Sequence, residues 1–146
     1  MKFLAGSDEQ RRTGIYGKRR VATAKNMPGA FIDALSWQVC LSIYVLGGDG
    51  FAEQRRSADS LRDLWRFDEL TKRWTFLGCA NCKGLRWRGT YKRDAGSSAP
   101  WPSARSASGV WTLSSGRVVI FGGAISTGRY GPNSIAEPLN DMWWLE

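Results

Sequence analysis

The chain repeats itself, and that self-similarity narrows its possible folds more than any other feature. Pro28-Gly29-Ala30 aligns with Pro102-Ser103-Ala104, and Trp37 with Trp111, both at an offset of 74. Ile43-Tyr44-Val45-Leu46-Gly47-Gly48 matches Val118-Val119-Ile120-Phe121-Gly122-Gly123 at 75, and Leu61-Arg62-Asp63-Leu64-Trp65 matches Leu139-Asn140-Asp141-Met142-Trp143 at 78. The offset grows only between motifs, as expected for a duplicated unit whose insertions fall in surface connections. The opening residues join the series: Phe3-Leu4 matches Phe76-Leu77 at 73, and Gly14-Ile15-Tyr16 matches Gly89-Thr90-Tyr91 at 75.

Each unit reads as four short strands. The first is Phe31–Trp37 or Arg105–Trp111, and the second is Ser42–Leu46 or Arg117–Phe121, a β-branched and large apolar run suited to burial on both faces. The third is Leu64–Phe67 or Met142–Leu145. The fourth is Arg73–Leu77, with Lys2–Ala5 as its counterpart from a preceding unit. No apolar run of useful length has the helical period, so the expected class is all-β. Seventeen glycines and eight tryptophans fit that class, the first serving tight turns and the second filling the space between sheets. Four-stranded sheets repeating along a chain mark a propeller.

The series of apolar quartet, Gly47-Gly48, Phe67 and, six residues later, Trp74 resembles the kelch repeat of the galactose-oxidase-like β-propeller superfamily. The signature residues carried by the likeness are Gly47, Gly48, Trp65, Phe67 and Trp74, with Gly122, Gly123 and Trp143 in the second unit. Two departures accompany it. Phe67 and Leu145 stand where the family usually has tyrosine, and the second unit stops before its spaced tryptophan. The glycine doublet has a physical role, because residues without Cβ accept positive φ and let a neighbouring backbone approach closely.

The resemblance implies a partial propeller over residues 1–146, made of two four-stranded antiparallel blades. Residues 2–5 are expected as the fourth strand of a preceding blade, 28–78 as a full repeat and 102–146 as an incomplete one. Two blades are too few for a ring of about four to eight. A Trp left wet forgoes burial of about 150–250 Å², worth about 4–6 kcal/mol as an upper figure. The expectation is therefore a piece of a longer propeller or a chain that assembles from several copies, with Lys2–Ala5 able to complete the last sheet.

Strand order places connections 49–60, 124–138, 5–29 and 78–104 on one face of such a scaffold, and the short ones, 38–41, 69–72 and 112–116, on the other. The long connections hold Arg11, Arg12, Lys18, Arg19, Arg20, Lys25, Arg55, Arg56, Lys83, Arg86, Arg88, Lys92, Arg93 and Arg129 against Asp8, Glu9, Asp49, Glu53, Asp59, Asp94 and Glu137. Fourteen minus seven leaves +7 of the chain's formal +8. A one-sided basic face suits an acidic peptide or protein. Arg86, Trp87 and Arg88 are the sharpest binding candidates within it, joined by Arg129 and Tyr130, since Arg, Trp and Tyr dominate interface hot spots. The competing reading is that Trp87 packs under its own loop. Tyr91, whose repeat partner is Tyr16, is expected to hold the loop rather than select a ligand.

Catalysis finds little support. The chain has no histidine, which removes the usual general base, every Ser-His-Asp or Cys-His arrangement, and the imidazole ligands on which a copper oxidase of the superfamily relies. Asp63 and Asp141 occupy equivalent repeat positions and read as scaffold that bonds a turn or caps the third strand. Cys79-Ala80-Asn81-Cys82 has C-x-x-C spacing, but with Cys40 it supplies three thiols and no imidazole, short of a zinc site. These read as loop thiols, with a redox-sensitive pair as the alternative. No catalytic residue, metal or cofactor is expected.

The implied function is a kelch scaffold for a protein or acidic peptide. The alternative is part of a secreted, carbohydrate-associated or oxidase-like propeller whose active site lies in other blades. Basic and aromatic residues interleave over 83–93 as in nucleic-acid surfaces, yet acidic residues punctuate the loops and no nucleic-acid fold signature is present. The first residues turn charged too soon for a signal peptide, and no stretch approaches the ~20 apolar residues of a membrane span. The compartment stays open, with cytoplasm the default.

Overall fold

The computed structural model describes residues 3–53, 58–79, 88–89, 102–127 and 135–145. Thirteen strands run through them in order: β1 Phe31–Ile32, β2 Leu35–Val39, β3 Ser42–Leu46, β4 Asp49–Gly50, β5 Asp59–Ser60, β6 Asp63–Asp68 and β7 Arg73–Cys79, then β8 Arg88–Gly89, β9 Gly109–Thr112, β10 Val118–Phe121, β11 Ala124–Thr127, β12 Ile135–Pro138 and β13 Met142–Leu145. No helix occurs among the described residues. Two four-stranded antiparallel sheets, β2-β3-β6-β7 and β9-β10-β13-β8, form the two blades of a partial propeller.

The first blade follows directly from side-chain alternation. In β2, Leu35 and Trp37 point inward while Ser36 and Gln38 face water. Trp37 pairs with Tyr44 of β3, and their rings stack 5.6 Å apart and nearly parallel. This cross-strand aromatic pair fixes the hairpin register, because a one-residue slip would send both rings to the wrong face. The turn between β6 and β7 is closed by Asp68, whose Oδ1 accepts from the amides of Leu70 and Thr71 and from the Thr71 hydroxyl. These bonds favour the charged form and hold its carboxyl below the ordinary value.

The blades pack face to face. Leu35, Trp37, Leu46 and Leu64 of the first meet Val118, Ile120 and Trp143 of the second in one buried cluster. The other face of the first blade is covered by the chain's own N-terminal segment, with Tyr16 packed against Val45 and Trp65. Tyr16 meets the Trp65 ring edge-on at 4.9 Å, an arrangement favoured by the ring quadrupoles.

Backbone bonds stitch the blades together through residues that flank β2, β3 and β9. The Gly48 amide donates to the Arg105 carbonyl at 2.9 Å, and the Ala107 amide to Asp33 at 2.8 Å. Gly47 and Gly48 both have positive φ, 68° and 89°, and a Cβ built on Gly47 would overlap the Arg105 carbonyl oxygen. The glycines are thus required by backbone shape and by the neighbouring blade at once. The second doublet repeats the conformation, with φ of 64° at Gly122 and 91° at Gly123.

Several boundaries differ from the sequence reading. The first strands begin at Leu35 and Gly109, because Phe31–Ile32 leaves to pair with β4 and Arg105 and Ala107 bond to the adjacent blade. Connections 49–60 and 124–138 are not bare loops. They carry β4 and β5, which join β1, and the hairpin β11-β12. Connection 78–104 is interrupted by β8, which pairs with β13 and takes the outer place in the second blade. Phe3–Ala5 forms no strand, so it does not fill that place as expected; Lys2 lies outside the described residues. Cys79 ends β7 rather than sitting in a loop, and Cys82 lies outside the described residues.

Candidate functional site

The described part of the basic surface is built by residues 5–29, and its conformation depends on contacts far away in sequence. Ile15 bridges Met27 across the segment, and Thr23 bridges Trp74 on the outer strand β7. The Arg20 amide donates to the Phe76 carbonyl at 2.8 Å, and the Asn26 side-chain amide to the carbonyls of Val21 at 2.7 Å and Trp74 at 3.2 Å. The segment therefore runs along the free edge of β7 and satisfies part of it, which protects a strand that would otherwise invite pairing with another chain. It is not confined to the end of the blade, where strand order alone had put it.

Tyr16 anchors the segment from below. Its hydroxyl donates to the Asp63 carboxylate, and its amide donates to Glu53 Oε1 at 3.2 Å. Burial pushes the phenol well above its ordinary range, and the neighbouring Asp63 charge adds to that, so Tyr16 stays a donor. Burial also raises the Asp63 carboxyl, partly opposed by the Tyr16 hydrogen bond and by Arg62.

The equivalent carboxylate in the second blade has a different partner. Arg105, fully buried, donates through Nη1 to Asp141 Oδ1 and through Nη2 to Oδ2, both at 2.8 Å. Its remaining donors reach the Gly122 carbonyl at 3.0 Å and the carbonyl and hydroxyl of Ser103 at 3.2 Å. The Trp143 indole donates to the same carboxylate at 2.6 Å. Burial works against the Asp141 anion, but the Arg105 and Trp143 hydrogen bonds outweigh it and hold the carboxyl below its ordinary value. Both aspartates also accept a backbone bond from the first glycine of their doublet, Gly47 to Asp63 at 3.1 Å and Gly122 to Asp141 at 3.0 Å. These contacts tie each third strand to the glycine turn.

Held this way, residues 3–6 and 23–27 form one wall of a cleft of about 330 Å³, and Lys72, Arg73 and Trp74 form the other. Lys25, Lys72 and Arg73 are exposed at its rim, and none of its lining residues is acidic. The arrangement offers three cationic donors beside an indole, which can receive a carboxylate together with an adjoining apolar group. The exposed Arg11, Lys18 and Arg20 extend the basic surface along the same segment, and Arg12 is paired with Glu9.

Among the residues singled out from sequence, Arg86, Trp87, Arg129, Tyr130 and Tyr91 lie outside the described residues. Arg88 lies in β8, opposite Trp144 of β13. Of these candidates only Arg88 is described, and it does not line the cleft. Sequence reading missed Lys72, which it put in the 69–72 turn on the opposite face, and Arg73, which it read only as the start of the fourth strand. It also missed Arg105 as the partner of Asp141, although an aspartate shared by both repeats signalled a need for a nearby donor.

Residues 39–80, from the last residue of β2 through β7, match the family model described as Kelch motif. No curated protein matches the chain.

Proposed function

We propose that this chain, in which residues 39–80 match a Kelch motif, is an interaction scaffold that docks an acidic peptide or protein segment on its basic connections. Kelch repeats generally mediate protein–protein contacts, which supports the class of function. The cleft walled by residues 23–27 and 72–74 carries the finer reading: three exposed cations surround it and no acidic side chain lines it. The chain's positive charge would speed encounter with an acidic partner, and a rigid sheet edge would hold the receiving side chains in place.

The test is titration with a glutamate-rich peptide containing one aromatic residue, followed by tryptophan fluorescence. Lys25→Ala combined with Lys72→Ala is expected to weaken binding about tenfold, with the melting temperature nearly unchanged because both side chains are exposed. Arg86→Ala combined with Arg88→Ala tests the other basic connection in the same way. Loss of binding in that variant alone would move the contact to residues 83–93, and no loss in either would refute the proposal. Generic RNA competing with a steep logarithmic salt dependence would favour a nucleic-acid partner instead.

A further inference from the structure

One carboxylate of the repeat is left without the cation that its counterpart has. Asp141 of the second blade meets the Arg105 guanidinium at 2.8 Å. The residue at the Arg105 position of the first unit, 74 earlier, is Phe31, which packs into the cluster of Tyr16, Val45 and Trp65. Half-buried Asp63 therefore receives a neutral donor, the Tyr16 hydroxyl, where Asp141 receives a guanidinium. Arg105 directs its own donors to Asp141, Ser103 and Gly122. The side chains packed on that face from β3 and β7, namely Ile43, Val45, Trp74 and Phe76, are uncharged. Across β6 and β7 the Asp63 backbone pairs with Cys79. The neighbouring charges are Arg62, adjacent in sequence, and Glu53, whose Oε1 accepts from the Tyr16 amide at 3.2 Å.

We propose that the Tyr16–Asp63 contact is an acid-tightened latch, which holds connection 5–29 on the first blade more firmly when Asp63 carries a proton. With the segment seated, Asp63 is shielded from water and no counter-ion of the Arg105 kind offsets its charge. With the segment lifted, the carboxylate is hydrated and ordinary. Burial is the largest influence on the seated group and raises it above its ordinary 3.8, with the Tyr16 hydrogen bond and Arg62 opposing. Seating therefore favours the protonated form, and by linkage the proton favours seating. This contribution is complete below the ordinary value and is lost as pH rises through the seated-state value. Burial raises the Tyr16 phenol as well, so it remains a donor throughout.

The latch acts on the wall of the cleft through a short run of contacts. Gly17, next to Tyr16, has a φ of 61°, and a Cβ there would overlap Asn26 Oδ1. Asn26 in turn donates to the Val21 and Trp74 carbonyls. Ile15 and Met27 exchange two backbone bonds of 2.8 and 2.9 Å, so residues 23–27 follow Tyr16 when it moves. Tyr16 is the one buried apolar side chain of residues 5–29. A segment seated by so little apolar burial opens at a lower free energy than the whole fold. Gly14-Ile15-Tyr16 recurs as Gly89-Thr90-Tyr91, which makes this connection part of the repeat.

Amide hydrogen exchange of the full chain, read by NMR from acid to neutral pH and normalised at each pH to the free-peptide rate, tests this. The Ile15, Arg20 and Met27 amides bond within the segment or to β7. They should be less protected than the amides of β3 and should lose protection as pH rises, by up to about tenfold per pH unit, before levelling off. Asp63→Asn keeps an acceptor for Tyr16 without the charge and should remove the pH dependence of these three amides. Tyr16→Phe keeps the ring but removes the hydrogen bond that favours the anion, so the fall should extend to higher pH. No peptide is present, so this readout is independent of the acidic-peptide reading. Three results would each overturn the latch: segment amides as protected as those of β3, wild-type protection that is flat or rises with pH, or a pH dependence that survives Asp63→Asn.

Discussion

Replacing Asp141 by alanine strips a fully buried guanidinium of its counter-ion. The Arg105 side chain is 0% exposed and Asp141 12% exposed, with two N–O contacts of 2.8 Å between them. Arg105 would keep its bonds to Ser103 and Gly122 but lose charge compensation in a site that water does not reach. The Trp143 indole would lose its acceptor in the same step. Removing one member of a buried ion pair costs about 3–5 kcal/mol, because the survivor is desolvated without recompense. For a chain of this size each kcal/mol lowers the melting temperature by about 3 °C, so the expected fall is about 9–15 °C. Urea unfolding followed by tryptophan fluorescence measures the free energy directly. Arg105→Met together with Asp141→Leu should recover most of the loss, because neither charge then needs desolvation. A single variant within about 1 kcal/mol of wild type would refute the reasoning, since it would mean that the guanidinium finds water. The pH dependence carries a sign. Asp141 is held below its ordinary 3.8, so its contribution is present above that value and lost as pH falls through the lower folded-state value.

Asp63 has the opposite sign: its carboxyl is raised, so its contribution is greatest below the ordinary value and is lost as pH rises through the folded-state value. Asp63→Asn keeps an acceptor for the Tyr16 hydroxyl and should match or exceed wild-type stability at neutral pH, measured by thermal melts across pH; a neutral-pH loss above about 1 kcal/mol would contradict this. Gly47→Ala combines a positive φ with overlap on the Arg105 carbonyl and should cost at least about 2 kcal/mol, whereas Gly116→Ala, at φ 81° with no heavy atom within 4 Å, should cost about 1 kcal/mol. Urea titration of the two variants compares them, and equal losses would show that the inter-blade approach at Gly47 is not tight.

The two four-stranded sheets were legible because a duplicated unit reports its own architecture twice. Trp37 and Trp111, the quartets before Gly47 and Gly122, and Leu64 and Met142 recur in order, and period-two burial in β2 follows from the alternation of Leu35-Ser36-Trp37-Gln38. The candidate surface was legible only as a charge excess on connections 5–29. Its geometry arises from Thr23 bridging Trp74 and from Asn26 reaching the Trp74 carbonyl, contacts 51 and 48 residues apart that leave no local pattern. Strand order put connection 5–29 and the 69–72 turn at opposite ends of the blade because it treats a connection as a loop at the blade's end, whereas connection 5–29 runs down the edge of β7 and meets Lys72 and Arg73.

What the amino-acid order determined by itself is the local part: which residues alternate, where the chain must turn, and that the same unit occurs twice. Tertiary structure decided how equivalent residues are used. Asp63 and Asp141 occupy one repeat position, yet burial raises the first despite its phenol donor, while a buried guanidinium and an indole outweigh burial and lower the second. Trp37 is core and Trp111 is surface for a similar reason. Burial and pairing are properties of neighbours brought together by packing, and two copies of one motif at different places in a stack have different neighbours.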